Sequence, residues 1–294
     1  MGDASFLLTQ FFGGLTMAMF LFLIASGLSL VFGVLRVLNF AHGSFYMLGA
    51  YLAWQGVQWL TPLMGNFWWA ALMAALVIAL LGGLVERLLL RHMYGKDELY
   101  QLLLTYALVL ILGDSAKAIW GTQQLSVSRP PLLEGGIEIF GGVLPIYNIF
   151  IMWAGTVIAV GGWLVLARSS AGRMVRAAAL DREMLGALGA NVGLIYTGMF
   201  VASSFLAGLA GALVTPIQSV VPGMDVSIIV DAFIVVVIGG LGSFWGTFWG
   251  AVIYGQVLSF GILIFPGFSL FSVFALMAVI LIVRPWGLFG QPIR

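Results

Sequence analysis

Asn39 and His42 stand three residues apart in the run Arg36-Val-Leu-Asn-Phe-Ala-His-Gly43, directly after a long apolar stretch. At that spacing an amide and an imidazole share one helical face. They offer polar groups near the end of an apolar segment, either to a polar solute or to the backbone of a broken helix. No second His or carboxylate lies at ligand spacing, so a metal site is not indicated. Asp231 opens a second polar region, which ends in Gly239-Gly240-Leu-Gly242. A carboxylate within apolar sequence is costly and functional by default, although a helix-start position at a membrane interface would also accommodate it. The glycines interrupt helical bonding easily. Backbone groups released at such a break can solvate a small zwitterion without a buried charge, and the same glycines would equally let two helices touch. Asp114 and Lys117, three apart, read as a neutralised structural pair.

Other chemistry is absent from the pattern. The chain has two lysines; Gly95-Lys96 continues into Asp97 and Lys117 follows Ala116, so neither belongs to a phosphate-binding loop. Any nucleotide-driven work needs a separate ATPase chain. No Ser/His/Asp set, HExxH or G-x-S-x-G elbow is present, so an intramembrane enzyme finds no support and no cofactor is implied. An ion-coupled secondary transporter is the competing class. It would need acidic or His side chains running through the apolar depth, and few are available.

Charge is concentrated in two stretches, residues 86–98 and 168–183, which hold 12 of the 23 charged side chains. The second is the more specific. Residues 173–188 are rich in Ala, Met, Leu and Arg, good helix formers, and predict one short amphipathic helix outside the bilayer. Arg173, Arg176, Asp181, Arg182 and Glu183 mix both signs, and the segment ends in Gly186-Ala-Leu-Gly189-Ala-Asn191 before the next apolar run. A purely basic face would suit anionic lipid. A mixed-charge, rigidly connected helix suits protein contact better.

The elements that must carry these residues are membrane helices. Hydrophobic residues make up 62% of the 294-residue chain and charged residues 8%, against roughly 25% charged in globular proteins. The apolar runs are continuous rather than alternating, which excludes a transmembrane barrel. The predicted class is an all-α, polytopic transmembrane bundle forming a single domain over 1–294. Its expected spans are 6–35, 44–60, 67–85, 99–120, 146–167, 193–215, 226–242, 244–265 and 268–283. One of the pair flanking residues 239–243 could be re-entrant, giving eight or nine. Arg36, the 86–98 and 168–183 stretches, Arg284 and Arg294 then share one side, and Arg129 alone lies in the opposite loops. By the positive-inside rule the N-terminus is outside and the C-terminus cytoplasmic. Met1 to Ser5 lacks the basic start of a removable signal peptide, so the first span is expected to be retained. Residues 137–146 read as a small hairpin on the outer face. Gly242, Gly246 and Gly250, and the run from Ser204 to Ala212, predict close helix packing. The runs Gly43-Ser-Phe-Tyr and Gly242-Ser-Phe-Trp form a faint internal echo. Net charge is +1 and cysteine is absent, which points to no nucleic acid and excludes disulfides.

Residues 27–51, running from Gly27-Leu-Ser-Leu through Asn39-Phe-Ala-His42-Gly43 to Tyr51, resemble the N-terminal signature of the branched-chain amino-acid ABC transporter permeases. Arg176, Asp181, Gly186 and Gly189-Ala-Asn191-Val resemble that family's cytoplasmic loop, with Ala190 where isoleucine is usual. Asp231 to Ser243 resembles its late-helix signature. The resemblance implies a permease subunit of a bacterial inner (plasma) membrane importer for a branched-chain amino acid, urea, a short amide or another small solute. The implied partners are a second permease subunit, two cytoplasmic ATP-binding subunits, a periplasmic or extracellular solute-binding protein and membrane lipid. Arg173, Arg176, Asp181, Arg182, Gly186, Gly189 and Asn191 would couple to the ATPase.

Overall fold

A computed structural model describes residues 2–35, 37–64, 67–139, 142–264 and 266–290. Arg36 and Arg294, used above for orientation, lie outside them. Long, predominantly apolar runs form α1 (Gly2–Leu35), α2 (Ala41–Met64), α3 (Phe67–Leu88), α4 (Glu98–Trp120), α5 (Ile146–Arg168), α8 (Val192–Val214), α9 (Met224–Gly239), α10 (Phe244–Ile264) and α11 (Ser269–Val283). The charged 168–192 segment forms α6 (Ser170–Leu180) and α7 (Arg182–Ala187). The hairpin is present as antiparallel β1 (Gly136–Ile139) and β2 (Gly142–Pro145).

Among the described residues the secondary structure is helical apart from that hairpin and one antiparallel bridge between Leu125 and Val220. Six helices, α1, α3, α4, α5, α8 and α10, are long and apolar enough to cross a membrane. That is fewer than the eight or nine spans expected. The remaining three apolar helices explain the difference: α2 is diluted by Ser44, Gln55 and Gln58, while α9 and α11 have only 16 and 15 residues.

Small residues hold the centre together. An added Cβ on Gly208 would press on Ile78 of α3, one on Gly49 would run into Gly208, and one on Gly211 would run into the Tyr46 carbonyl. Backbones therefore meet directly around α8, which is how helices associate where water cannot drive them together. Gly14 and Gly255 make the corresponding contact between α1 and α10. The buried mass lies in α1, α2, α8 and α9, whereas α4 and α5 are mostly exposed.

Both charged stretches lie at one end of the bundle, called the charged end here. Tyr94, which follows α3, packs edge-on against Tyr196 in the first turns of α8 at 5.4 Å. Ala178 of α6 joins Val34, Tyr196 and Met199 in one apolar cluster.

The helix α2 does not start at that end. His42 touches Ile24 of α1 and Ser203 of α8. Each of those lies 11 residues from the charged end of its own helix, about 16 Å along the axis. The α1–α2 connection therefore climbs back into the bundle before helix resumes.

Candidate functional site

The coupling segment is two helices rather than the single one expected over 173–188. Ser169 caps α6 by accepting from the Gly172 amide at 2.9 Å. Asp181 then leaves helical geometry (φ −150°, ψ 100°), and its Oδ1 accepts from the Glu183 and Met184 amides at 3.0 and 2.9 Å. A carboxylate that satisfies two orphan amides starts a new helix, so α7 begins immediately after Asp181. Gly189 ends it at φ +87°. The Ala190 amide donates to the Leu185 carbonyl (3.3 Å) and the Gly189 amide to the Gly186 carbonyl (2.9 Å). This glycine-terminated helix stop needs a left-handed residue. Asn191 accepts from the Leu194 amide at 3.1 Å and starts α8. Four polar or flexible side groups thus fix the path from α6 to α8 within a few residues.

The two faces of this segment divide the work. Val175, Ala178 and Ala179 face the bundle and fasten α6 to Val34, Tyr196 and Met199. Arg173, Arg176, Asp181 and Arg182 are exposed. Between them stand Leu180, Met184 and Leu188, which are 86%, 63% and 78% exposed. These apolar knobs, not Val175 and Ala179, are the groups offered outward. Arg176 also borders a cavity of about 410 Å³ together with Ser29, Gly33 and Gly242.

Residues 86–97 brace the segment from the side. Glu86 is wholly buried, and its Oε1 accepts from the Tyr94 hydroxyl at 2.9 Å. Its Oε2 accepts from the Thr197 hydroxyl at 2.7 Å. Burial, and then the neighbouring Glu86 charge, push the Tyr94 hydroxyl well above its ordinary pKa, so it remains a donor. Gln101 donates to the Met93 and Lys96 carbonyls and closes the loop.

In the interior, His42 is fully buried in the first turn of α2. Its Nε2 donates to the Ile24 carbonyl at 2.9 Å. Ser203 donates to the Gly27 carbonyl at 2.8 Å, with His42 Nδ1 3.5 Å away. Imidazole and hydroxyl together tie the deep start of α2 to α1 and α8. Asn39 is also buried, yet neither atom of its amide has a hydrogen-bond partner among the described residues. Gly43 admits the Asp225 carbonyl of α9, which an added Cβ would strike.

Asp231 is not a helix-start residue. It lies eight residues before the end of α9, about 12 Å along the axis, and accepts from the Tyr254 hydroxyl at 2.6 Å. The acidic residue in the first turn of α9 is Asp225, buried and accepting from Ser44 at 2.9 Å.

The glycine break is closed. The Val236 carbonyl accepts from Gly240 (2.8 Å), Ile238 from the Leu288 amide (3.0 Å) and Gly239 from the Phe289 amide (3.0 Å). Gly239 lies against the Gly246 backbone, and Gly240 (φ +107°) against Gly287 and Gly290. Gly242 (φ +79°) meets Gly33, two residues from the charged end of α1. Two of the backbone groups that such a break would release, the Ile238 and Gly239 carbonyls, are instead taken by the turn segment after α11. Lys117 and Asp114 do pair, at 3.0 Å and on the exposed face of α4.

Residues 10–283 match the family described as branched-chain amino acid transport system / permease component. The chain belongs to this permease family. It is 30% identical to the high-affinity branched-chain amino acid transport system permease protein BraD of Pseudomonas aeruginosa, over 97% of this chain and 96% of that one. It is 29% identical to the corresponding LivH of Escherichia coli K12, over 98% and 96%. A solved structure of PsaBC from Streptococcus pneumoniae in complex with Fab covers 92% of this chain and 89% of its own, with 14% identity and a TM-score of 0.46.

As a member of the permease family, the chain is a multi-pass transport subunit, and its relatives are transport components rather than enzymes. Sequence reasoning missed two buried acids. In sequence, Glu86 stands at the head of the charged 86–98 stretch and is not distinguished from it. Its helical phase was nevertheless visible, since Ala74, Ile78, Gly82 and Glu86 recur every four residues and all are buried. Asp225 left no such signal, because its partner Ser44 lies 181 residues away.

Proposed function

We propose that this permease forms the membrane pathway of an importer energised by separate ATP-binding subunits, carrying a branched-chain amino acid or a similar small solute into the cell. The carrying observation is the α6–α7 segment. It is capped at Ser169, Asp181, Gly189 and Asn191, fastened to the bundle on one face, and presents Leu180, Met184 and Leu188 among charges of both signs on the other. A rigid helical knob of this kind fits an apolar groove with a polar rim, where anchors supply most of the affinity. Arg173, Arg176, Asp181 and Arg182 would form the rim, each contributing about 0–1 kcal/mol. The solute class is supported by the names of the relatives.

In this reading the charged end faces the cytoplasm, as the excess of Lys and Arg there favours. The N-terminus is outside, in the inner membrane of a bacterium. A second permease subunit, two ATP-binding subunits and a solute-binding protein complete the complex. The solute passes near the α1–α2 connection. Asn39, with both amide atoms unpartnered among the described residues, is the best-supported path residue, and His42 and Gly43 fasten that connection to the neighbouring helices. Asp231, held by the Tyr254 hydroxyl of α10, would contribute to the path from α9. Gly239, Gly240 and Gly242 support the path from outside as a packing seam.

The test is uptake of labelled leucine, isoleucine and valine by proteoliposomes holding the full complex. Uptake is expected to require ATP and the binding protein. Uptake driven by an ion gradient without ATP would overturn the proposal. Gly189→Val meets no steric obstacle but strains the left-handed turn, and is expected to uncouple ATP hydrolysis from uptake while the complex still assembles.

A further inference from the structure

The seam between α3 and α8 is built from Gly82, Gly83, Ser204 and Gly208, residues that bring two backbones close but do little to fix how they slide. At the charged end of that seam the chain changes chemistry. Glu86 is 0% exposed and has no ion-pair partner among the described residues. Its two oxygens are held by different elements, Tyr94 Oη at 2.9 Å from the following loop and Thr197 Oγ1 at 2.7 Å from α8. A buried carboxylate is a costly fastener where an apolar contact would serve. What it adds is direction, because hydrogen bonds to a charged acceptor are strong and geometrically specific.

The fastener is also continuous with the coupling segment. The Tyr94 ring lies edge-on to Tyr196 at 5.4 Å, and Tyr196 belongs to the cluster under α6 with Val34, Ala178 and Met199. The Arg91 guanidinium lies over Gly193, in the first turn of α8. Contacts therefore run without a gap from α6 through Tyr196 and Tyr94 to Glu86 and α3.

We propose that Glu86 is a positioning residue for energy coupling: with Tyr94 and Thr197 it locks α3 to the first turns of α8, so that a displacement of α6 and α7 moves both helices as one body. This rests on the reading of α6–α7 as the ATPase docking segment. Without the lock, the small-residue seam would absorb the displacement by sliding, and ATP would be hydrolysed with less solute moved.

The measurement is solute transported per ATP hydrolysed, in proteoliposomes containing the complete complex, alongside the Tm of each purified variant. Tyr94→Phe and Thr197→Val each remove one hydroxyl at nearly constant shape and are expected to lower the ratio roughly threefold. Glu86→Gln is expected to lower it about tenfold, with an ATPase rate within about twofold of wild type and little change in Tm. The double variant Tyr94→Phe with Thr197→Val is expected to lower the ratio by a similar factor per assembled complex, with a fall in Tm because the buried carboxylate keeps neither donor. Ratios equal to wild type in all four would overturn the inference. So would uptake and ATPase falling in proportion with Tm, the result of a merely structural role. If the wild-type complex itself shows no ATP-dependent uptake, the docking reading fails and the inference fails with it. Coupled wild type with unaltered variants removes the inference alone.

Discussion

The chain carries Gly-Ser-Phe followed by an aromatic residue at 43–46 and again at 242–245, each beside an interrupted helix, and the two interruptions are opposite in character. At the first, the run lies inside α2, whose start is about 16 Å in from the charged end. Its buried side-chain amide, Asn39, has no partner among the described residues and does not cap the helix that follows. At the second, the run straddles the start of α10 at the charged end itself. Ser243 caps α10 through the Gly246 amide at 3.1 Å, and the last carbonyls of α9 are taken by Leu288 and Phe289. Whether the polar groups at a break find partners is decided by what packs around it. The residues at the break do not reveal it.

That contrast can be broken most severely at the sealed side. Gly239→Val would drive a branched side chain into the Gly246 backbone. A cost of roughly 3 kcal/mol or more is expected, seen as loss of assembled complex in size-exclusion chromatography. If Gly239→Val assembles normally, the seam is not closed.

Asn39→Leu probes the side with the unpartnered amide and should behave differently. Removing an unpaired buried amide at similar volume relieves a desolvation cost of about 1–3 kcal/mol, so Tm should hold or rise. Uptake should nevertheless fall about tenfold, equivalent to about 1.4 kcal/mol. A drop in Tm with normal uptake would make Asn39 a structural residue like Ser243.

Leu288→Pro removes the amide that closes onto the Ile238 carbonyl. Leaving that acceptor unpaired should cost about 1–3 kcal/mol in thermal unfolding, with transport per assembled complex unchanged. The smallest effect is expected of Ser243→Ala, about 1 kcal/mol for a lost helix cap, read as a modest fall in Tm. Equal sensitivity of uptake to Ser243→Ala and Asn39→Leu would erase the distinction between the two breaks.

Much of the architecture was legible beforehand. The expected spans 99–120, 146–167, 193–215 and 244–265 fall within a residue or so of α4, α5, α8 and α10, because uninterrupted apolar runs in lipid have no alternative to helix. Asp181 as a helix cap is equally local, but the flanking residues all favour helix and conceal the break. It splits the coupling segment in two. Gly186 and Gly189 were noticed as a break, and a left-handed glycine at 189 is what such a stop requires.

The sequence by itself determined a helical membrane protein whose charge gathers in two stretches, whose two lysines fall outside any phosphate-binding loop motif, and which carries a connected amphipathic segment between two spans. Those properties follow from composition and from interactions within a few residues. Tertiary structure decided the depth of each polar group. His42 looked like a residue at the end of a span and lies deep between α1 and α8; Asp231 looked like a helix start and lies in the middle of α9 against Tyr254. It likewise decided that Glu86 turns inward to Thr197, and that the glycines at 239–242 are sealed by a segment about fifty residues further on. Hydrogen bonds and backbone contacts between residues so far apart depend on which helices become neighbours, and local pattern carries no record of that.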